Sequence, residues 1–142
     1  MVTKKNIMIF VSLVGLAVST YLAYLYSQPE PIVCATDCEL VRESKYSTLY
    51  GIKVPILGII FYTTSLIALF LKNNKKIGSF INFFLQIMLT TGFIYSIYLT
   101  FIEVFVINAI CQWCVVSAIC SLLLFVIHTS AFLEFLEKRK IV

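Results

Sequence analysis

Four long stretches without a single Asp, Glu, Lys or Arg divide this chain, at 7–26, 54–71, 77–102 and 104–133. A helix needs about 20 apolar residues to cross the roughly 30 Å hydrocarbon core of a bilayer. Each run meets or approaches that length. In lipid only helices and closed barrels satisfy their own backbone groups. Composition agrees with a membrane protein: 61% of residues are hydrophobic and 13% charged, against about 25% charged in soluble domains. The expectation is an all-α, integral membrane four-helix bundle, one domain over 1–142. The last run is longer than a crossing requires. Its first residues, 104–110, are placed near the interface and the fourth span at about 108–133, with Cys111 at its mouth. The other spans are 7–26, 54–71 and 77–102. The first run has the basic start of a signal peptide, Lys4 and Lys5, and small residues at Ala17 and Ser19. It continues well beyond the usual 7–15 residues of a signal core, so it reads as a retained span.

The charges act as punctuation between spans. Lys4 and Lys5 precede the first, Lys72, Lys75 and Lys76 separate the second from the third, and Lys138, Arg139 and Lys140 follow the fourth. An even number of spans puts all eight on one face. Arg42, Lys45 and Lys53 are the basic residues of the other. Basic residues collect on the cytoplasmic side, so both termini are expected in the cytoplasm. The loop at 27–53, between helices one and two, then faces outward from the plasma membrane. The net charge of +4 forms no basic stripe interleaved with aromatics, so nucleic acid is excluded as a partner. Lipid is the surrounding medium.

This topology places four of the five cysteines on the outer, oxidising side, where disulfides persist. Cys34 and Cys38 lie in the loop. Cys111 and Cys114 form a C-x-x-C at the mouth of span four. On a helix the two thiols share a face. With Asn108 as N-cap, Cys111 falls in the first turn, where amides and dipole stabilise a thiolate. Cys114 falls one turn deeper. In the loop, Thr36 and Glu39 have the spacing of a capping box, which would put Cys38 in the first turn of a short helix.

Three chemistries are compatible with two close pairs. Four thiols can hold zinc, but an outward face at a membrane boundary is a poor place for it, and no metal is expected. Each pair can be an inert staple, yet so short a loop gains only about 2 kcal/mol from closure. A relay suits the arrangement better: thiolates attack disulfides through mixed disulfides, the loop pair reaches an external protein, and the helix pair reaches the membrane.

The order of these motifs resembles the vitamin K epoxide reductase family, in particular its prokaryotic single-domain members. The residues concerned are the loop pair, the stretch Ser44-Lys45-Tyr46-Ser47-Thr48-Leu49-Tyr50-Gly51, and C-x-x-C opening the last span. The segments 38–58 (CELVRESKYSTLYGIKVPILG) and 102–118 (IEVFVINAICQWCVVSA) carry it, and it extends over nearly the whole chain. The resemblance implies a thiol oxidoreductase that takes electrons from a separate thioredoxin-like protein and passes them to a quinone such as ubiquinone or menaquinone, supporting disulfide formation. It implies that Cys34 exchanges with the partner, that Cys38 passes the disulfide on to Cys111, and that Cys114 stands next to the quinone. Ser44 resembles a family serine near the reaction centre. Only three residues separate Cys34 from Cys38, fewer than in many relatives. The vertebrate enzymes carry an asparagine and a tyrosine where this chain has Val54 and Ala118, which weakens the case for epoxide reduction, the alternative output. A structural membrane protein is the alternative from another class.

Other residues have plainer readings. Cys120 is a small buried hydrophobe. His128 and Glu103 are placed at the interfaces, Glu103 with some claim on quinone protonation. Tyr46, Tyr50, Tyr95 and Tyr98 form an aromatic belt at the outer face.

Overall fold

The computed structural model describes residues 2–31 and 34–141; positions 32 and 33 of the loop, and the two terminal residues, lie outside the described residues. Helix α1 spans Val2–Ser27. A short helix α2, Cys38–Glu43, follows, then a single 3-10 turn at Lys45–Ser47. Strands β1, Thr48–Leu49, and β2, Ile52–Lys53, make a small antiparallel hairpin. The long helices α3, Val54–Leu71, α4, Gly78–Ile102, and α5, Gln112–Ile141, complete the chain. The four long helices are apolar enough to cross a membrane, and the fold is the expected helical bundle.

The hairpin turn is built by Tyr50 and Gly51, both at positive φ, 50° and 85°. Two such residues give the turn whose twist matches a tight hairpin. Pro55 then opens α3, at a position where its missing N–H costs nothing. One continuous π-helical turn, Glu103–Ile107, prolongs α4. The chain then breaks at Asn108, whose left-handed backbone (φ 55°) is one that Asn tolerates. Asn108 therefore closes α4 and does not cap α5, and the residues expected near the interface, 104–107, extend the third long helix.

Helix α1 packs along both α3 and α5, and α5 along α4, while the seam between α3 and α4 is the most sparsely filled. The α1–α3 contact is close because Tyr62 lies across Gly15, where a Cβ would overlap its ring. The buried Tyr62 hydroxyl donates to the Ser117 carbonyl at 2.8 Å, so one side chain joins α1, α3 and α5. Outward-pointing side chains such as Phe10, Phe80, Ile94 and Phe105 are exposed, as expected of a surface facing acyl chains.

The helices alternate in direction, which gathers the two cysteine pairs at one end and the basic clusters at the other. There Lys4 pairs with Glu134 at 2.6 Å, Lys5 lies over the Phe70 ring, and Arg139 donates to Ser79. His128, read from sequence as interfacial, is fully buried in α5, with its Nδ1 2.8 Å from Gln86 Oε1. Cys120 is buried in the main core.

Candidate active site

At the cysteine end, α5 begins at Gln112. Cys111 therefore stands one residue before the helix, in the capping position, and its carbonyl accepts the Val115 N–H at 3.1 Å. Its sulfur does what an N-cap oxygen usually does, taking hydrogen bonds from the amides of Trp113 and Cys114. The neighbouring Cys114 thiol acts on the same sulfur and is the largest influence. Together they pull the Cys111 thiol down to about 7. A lowered value was expected from the first helical turn; the sulfur is instead a cap, and the second thiol of the pair contributes most.

The loop pair is joined. Cys34 and Cys38 form a disulfide with Cα atoms 6.4 Å apart, whereas Cys111 and Cys114 are free thiols. Cys38 opens α2 and is fully buried; Cys34 is half-buried. Cys38 and Cys111 belong to one small core with Val18, Leu22, Tyr26, Val41 and Ala109, which brings the two pairs together. Thr36 ties the loop to α5: its hydroxyl oxygen accepts the Gln112 N–H at 3.0 Å and lies 3.8 Å from the Cys38 sulfur. Because that sulfur is in a disulfide, the hydroxyl is the donor in the second contact. Thr36 thus serves the far helix, and Asp37, not Thr36, is the N-cap of α2, without a side-chain cap bond, so the capping box read from sequence does not form.

Below the pair lies a cavity of about 480 Å³. Its walls come from α1, the hairpin, α3, α4 and α5, and they are mostly apolar: Leu22, Leu49, Pro55, Phe61, Met88 and Leu99 among others. Cys114, Glu103 and Tyr26 form its polar corner, and Tyr95 also contributes. Val54 and Ala118, the positions where vertebrate relatives were expected to carry polar groups, both line it. Ser44 does not: its hydroxyl donates to the Val41 carbonyl at 2.7 Å, closing α2. Among the described residues no three His, Cys, Asp or Glu side chains gather as metal ligands.

Two members of that corner were missed or misplaced from sequence. Tyr26 reads as the last residue of an apolar run, yet it is buried and faces Cys111, Cys114 and Glu103. Glu103 reads as an interfacial acid but is 6% exposed. Only the π turn, which rotates the end of α4, turns it inward. A periodicity argument assumes regular helix and misses such a turn.

A model of the vitamin K epoxide reductase family matches residues 6–129. The chain belongs to that family. The match takes in both cysteine pairs, the hairpin and every wall of the cavity. Members of the vitamin K epoxide reductase family are quinone-dependent thiol oxidoreductases. Among curated proteins none matches the chain.

Proposed function

We propose that the chain passes two electrons from an extracytoplasmic thioredoxin-like protein, through Cys34 and Cys38 and then Cys111 and Cys114, to a quinone in the membrane. The observation that carries this reading is the double placement of the helix pair. Cys111 shares a core with Cys38 of the loop pair, and Cys114 stands in the wall of an apolar cavity. Basic residues at the opposite end orient the bundle with the cysteines outward. Membership of the prokaryotic, disulfide-forming branch is part of the same proposal.

The cavity suits a quinone headgroup: apolar walls with a few convergent polar groups and a volume of the right order. The sparse α3–α4 seam, lined by Phe61, Phe84, Met88 and Gly92, offers a side exit for a long apolar tail. A bound quinone accepts two electrons and two protons. The chain's own steps are thiol exchange. The Cys38 thiolate attacks Cys111 of an oxidised helix pair, and Cys114 leaves as a thiolate that takes up the proton Cys34 gives up in becoming the next nucleophile. Cys34 then attacks Cys38, and Cys111 leaves as a thiolate, favoured by its lowered pKa. The resulting state, loop pair joined and helix pair reduced, is the pairing found here. Apolar Val54 and Ala118 leave the corresponding walls without a donor for an epoxide oxygen, which favours quinone over epoxide as acceptor.

The test is anaerobic. The reduced protein in detergent is freed of reductant and mixed with a quinone, and quinone absorbance is followed alongside thiol alkylation. Quinone consumption equal to thiol loss, abolished by Cys114→Ala, is expected. No consumption with ubiquinone or menaquinone analogues, by folded protein with alkylatable thiols, would overturn the reading.

A further inference from the structure

An ionisable side chain inside a membrane protein is expensive and marks function. Glu103 is such a group, and the usual structural reason for one, a salt bridge, is missing among the described residues. The three basic residues at this end are engaged elsewhere. Arg42 of α2 pairs with Glu39 and donates to the Gln28 and Glu30 carbonyls. Lys45 lies over the Tyr46 ring, and Lys53 donates to the Tyr26 carbonyl at 2.6 Å. What faces the Glu103 carboxyl is Cys111 and Cys114 from the start of α5 and Tyr26 from α1.

Its position is held from both sides. The Asn108 N–H donates to the Glu103 carbonyl and closes the π turn, and the Ala109 N–H donates to the same oxygen at 3.0 Å. The Cys111 N–H points at Oε2 from 3.5 Å. Glu103 and Cys114 line the same cavity, and the two side chains act on each other there. The chemistry needs something there. When the helix pair becomes oxidised, Cys111 enters as a thiolate, but Cys114 carries a proton into a mostly apolar pocket, and Glu103 is the carboxyl that lines it.

We propose that Glu103 is the general base of the cysteine pair, taking the proton of the Cys114 thiol and holding it for the electron acceptor. This rests on the quinone reading above for the identity of the acceptor, not for the proton transfer itself. The Cys114 S–H bond breaks and a Glu103 O–H bond forms. The Cys111 and Cys114 sulfurs join, releasing two electrons to the quinone. The Glu103 proton goes to one quinone oxygen and a second proton comes from solvent, completing the hydroquinone and restoring the carboxylate.

The decisive experiment uses no quinone. In the full-length Cys111→Ala protein, reduced, Cys114 is alkylated with a small neutral maleimide and the adduct is read by site-resolved mass spectrometry across a pH series. Glu103 is compared with Glu103→Gln. A carboxylate that is only a neighbouring negative charge disfavours the thiolate, so its removal would speed alkylation. A carboxylate that takes the proton assists, so its removal slows alkylation by about 100-fold and abolishes the rise in rate that accompanies carboxyl ionisation; Glu103→Asp recovers part of both. A rate in Glu103→Gln equal to or above that with Glu103 would overturn the proposal. Should Glu103→Gln not fold, the solvent deuterium isotope effect with Glu103 in place decides: a normal effect is expected, and its absence overturns the proposal. Slowed alkylation in Glu103→Gln together with no quinone reduction by the unmutated protein would sink the quinone reading and leave the base standing.

Discussion

At the scale of single residues, the chemistry depends on which thiol ionises. Cys111 is drawn to about 7, first by the Cys114 thiol and then by two amides of α5. Below that pH it is a protonated, slow thiol; above it, a thiolate. Iodoacetamide labelling of Cys111 in the reduced helix pair should therefore reach half its maximal rate near pH 7. In Cys114→Ala, which removes the largest contribution, the midpoint should move up toward the ordinary thiol value of about 8.5. An unmoved midpoint would mean that the amides alone set it. That Cys34 and Cys38 lie close to Cys111 and Cys114 was legible, because spacing and span order are enough to bring the two pairs to one end. Glu103 and Tyr26 were not. Each sits at the end of an apolar run, where sequence cannot tell a side chain turned to headgroups from one turned inward. Ser44, suggested by its motif position, lies outside the cavity wall and donates to the Val41 carbonyl.

At the scale of elements, two joints control the site. One is Thr36, whose hydroxyl joins the loop to the first amide of α5. Thr36→Val keeps the shape and removes the bond, a loss of about 1 kcal/mol. The Gln112 amide should then exchange with deuterium several-fold faster, and transfer of the disulfide between pairs should slow; unchanged exchange would show that packing alone docks the loop. The other joint is Gly15 against Tyr62. Gly15→Val forces a side chain into the ring and should cost about 1–3 kcal/mol, seen as a lower thermal midpoint in detergent. Tyr62→Phe, which removes the hydroxyl's contacts with the Ser117 carbonyl and Oγ, should cost less, about 0.6 kcal/mol per bond within a membrane. These joints lie beyond pattern reading. The start of α5 slips from 108 to 112 because a left-handed Asn108 follows a π turn, and neither leaves a periodic signal. The hairpin carried a cue in Tyr50-Gly51, but two-residue strands are too short to show alternation.

At the scale of the whole molecule, the bundle was the most legible feature, because length and absence of charge are all that a span requires. How the helices sort around one another was not, since apolar faces look alike in lipid. The asymmetry of basic residues makes a sharp prediction about sidedness. In intact cells treated with a reductant, a membrane-impermeant maleimide should label Cys34. A cysteine placed at Lys75 should be labelled only after the membrane is breached. Labelling of the Lys75 position in sealed cells, without Cys34, would invert the topology.

The shallow seat of the helix pair has an electrical meaning. Cys114 is three residues along from Cys111, so the pair spans about 4.5 Å of helix axis at 1.5 Å per residue, and the cavity begins beside it. A full crossing costs about 2.3 kcal/mol per charge per 100 mV. Two electrons carried through about a seventh of a 30 Å core feel only some 0.7 kcal/mol of that, and less when each is accompanied by a proton. On the proposed path, thiol oxidation should therefore proceed at nearly the same rate in energised and depolarised vesicles, leaving the membrane potential neither charged nor spent.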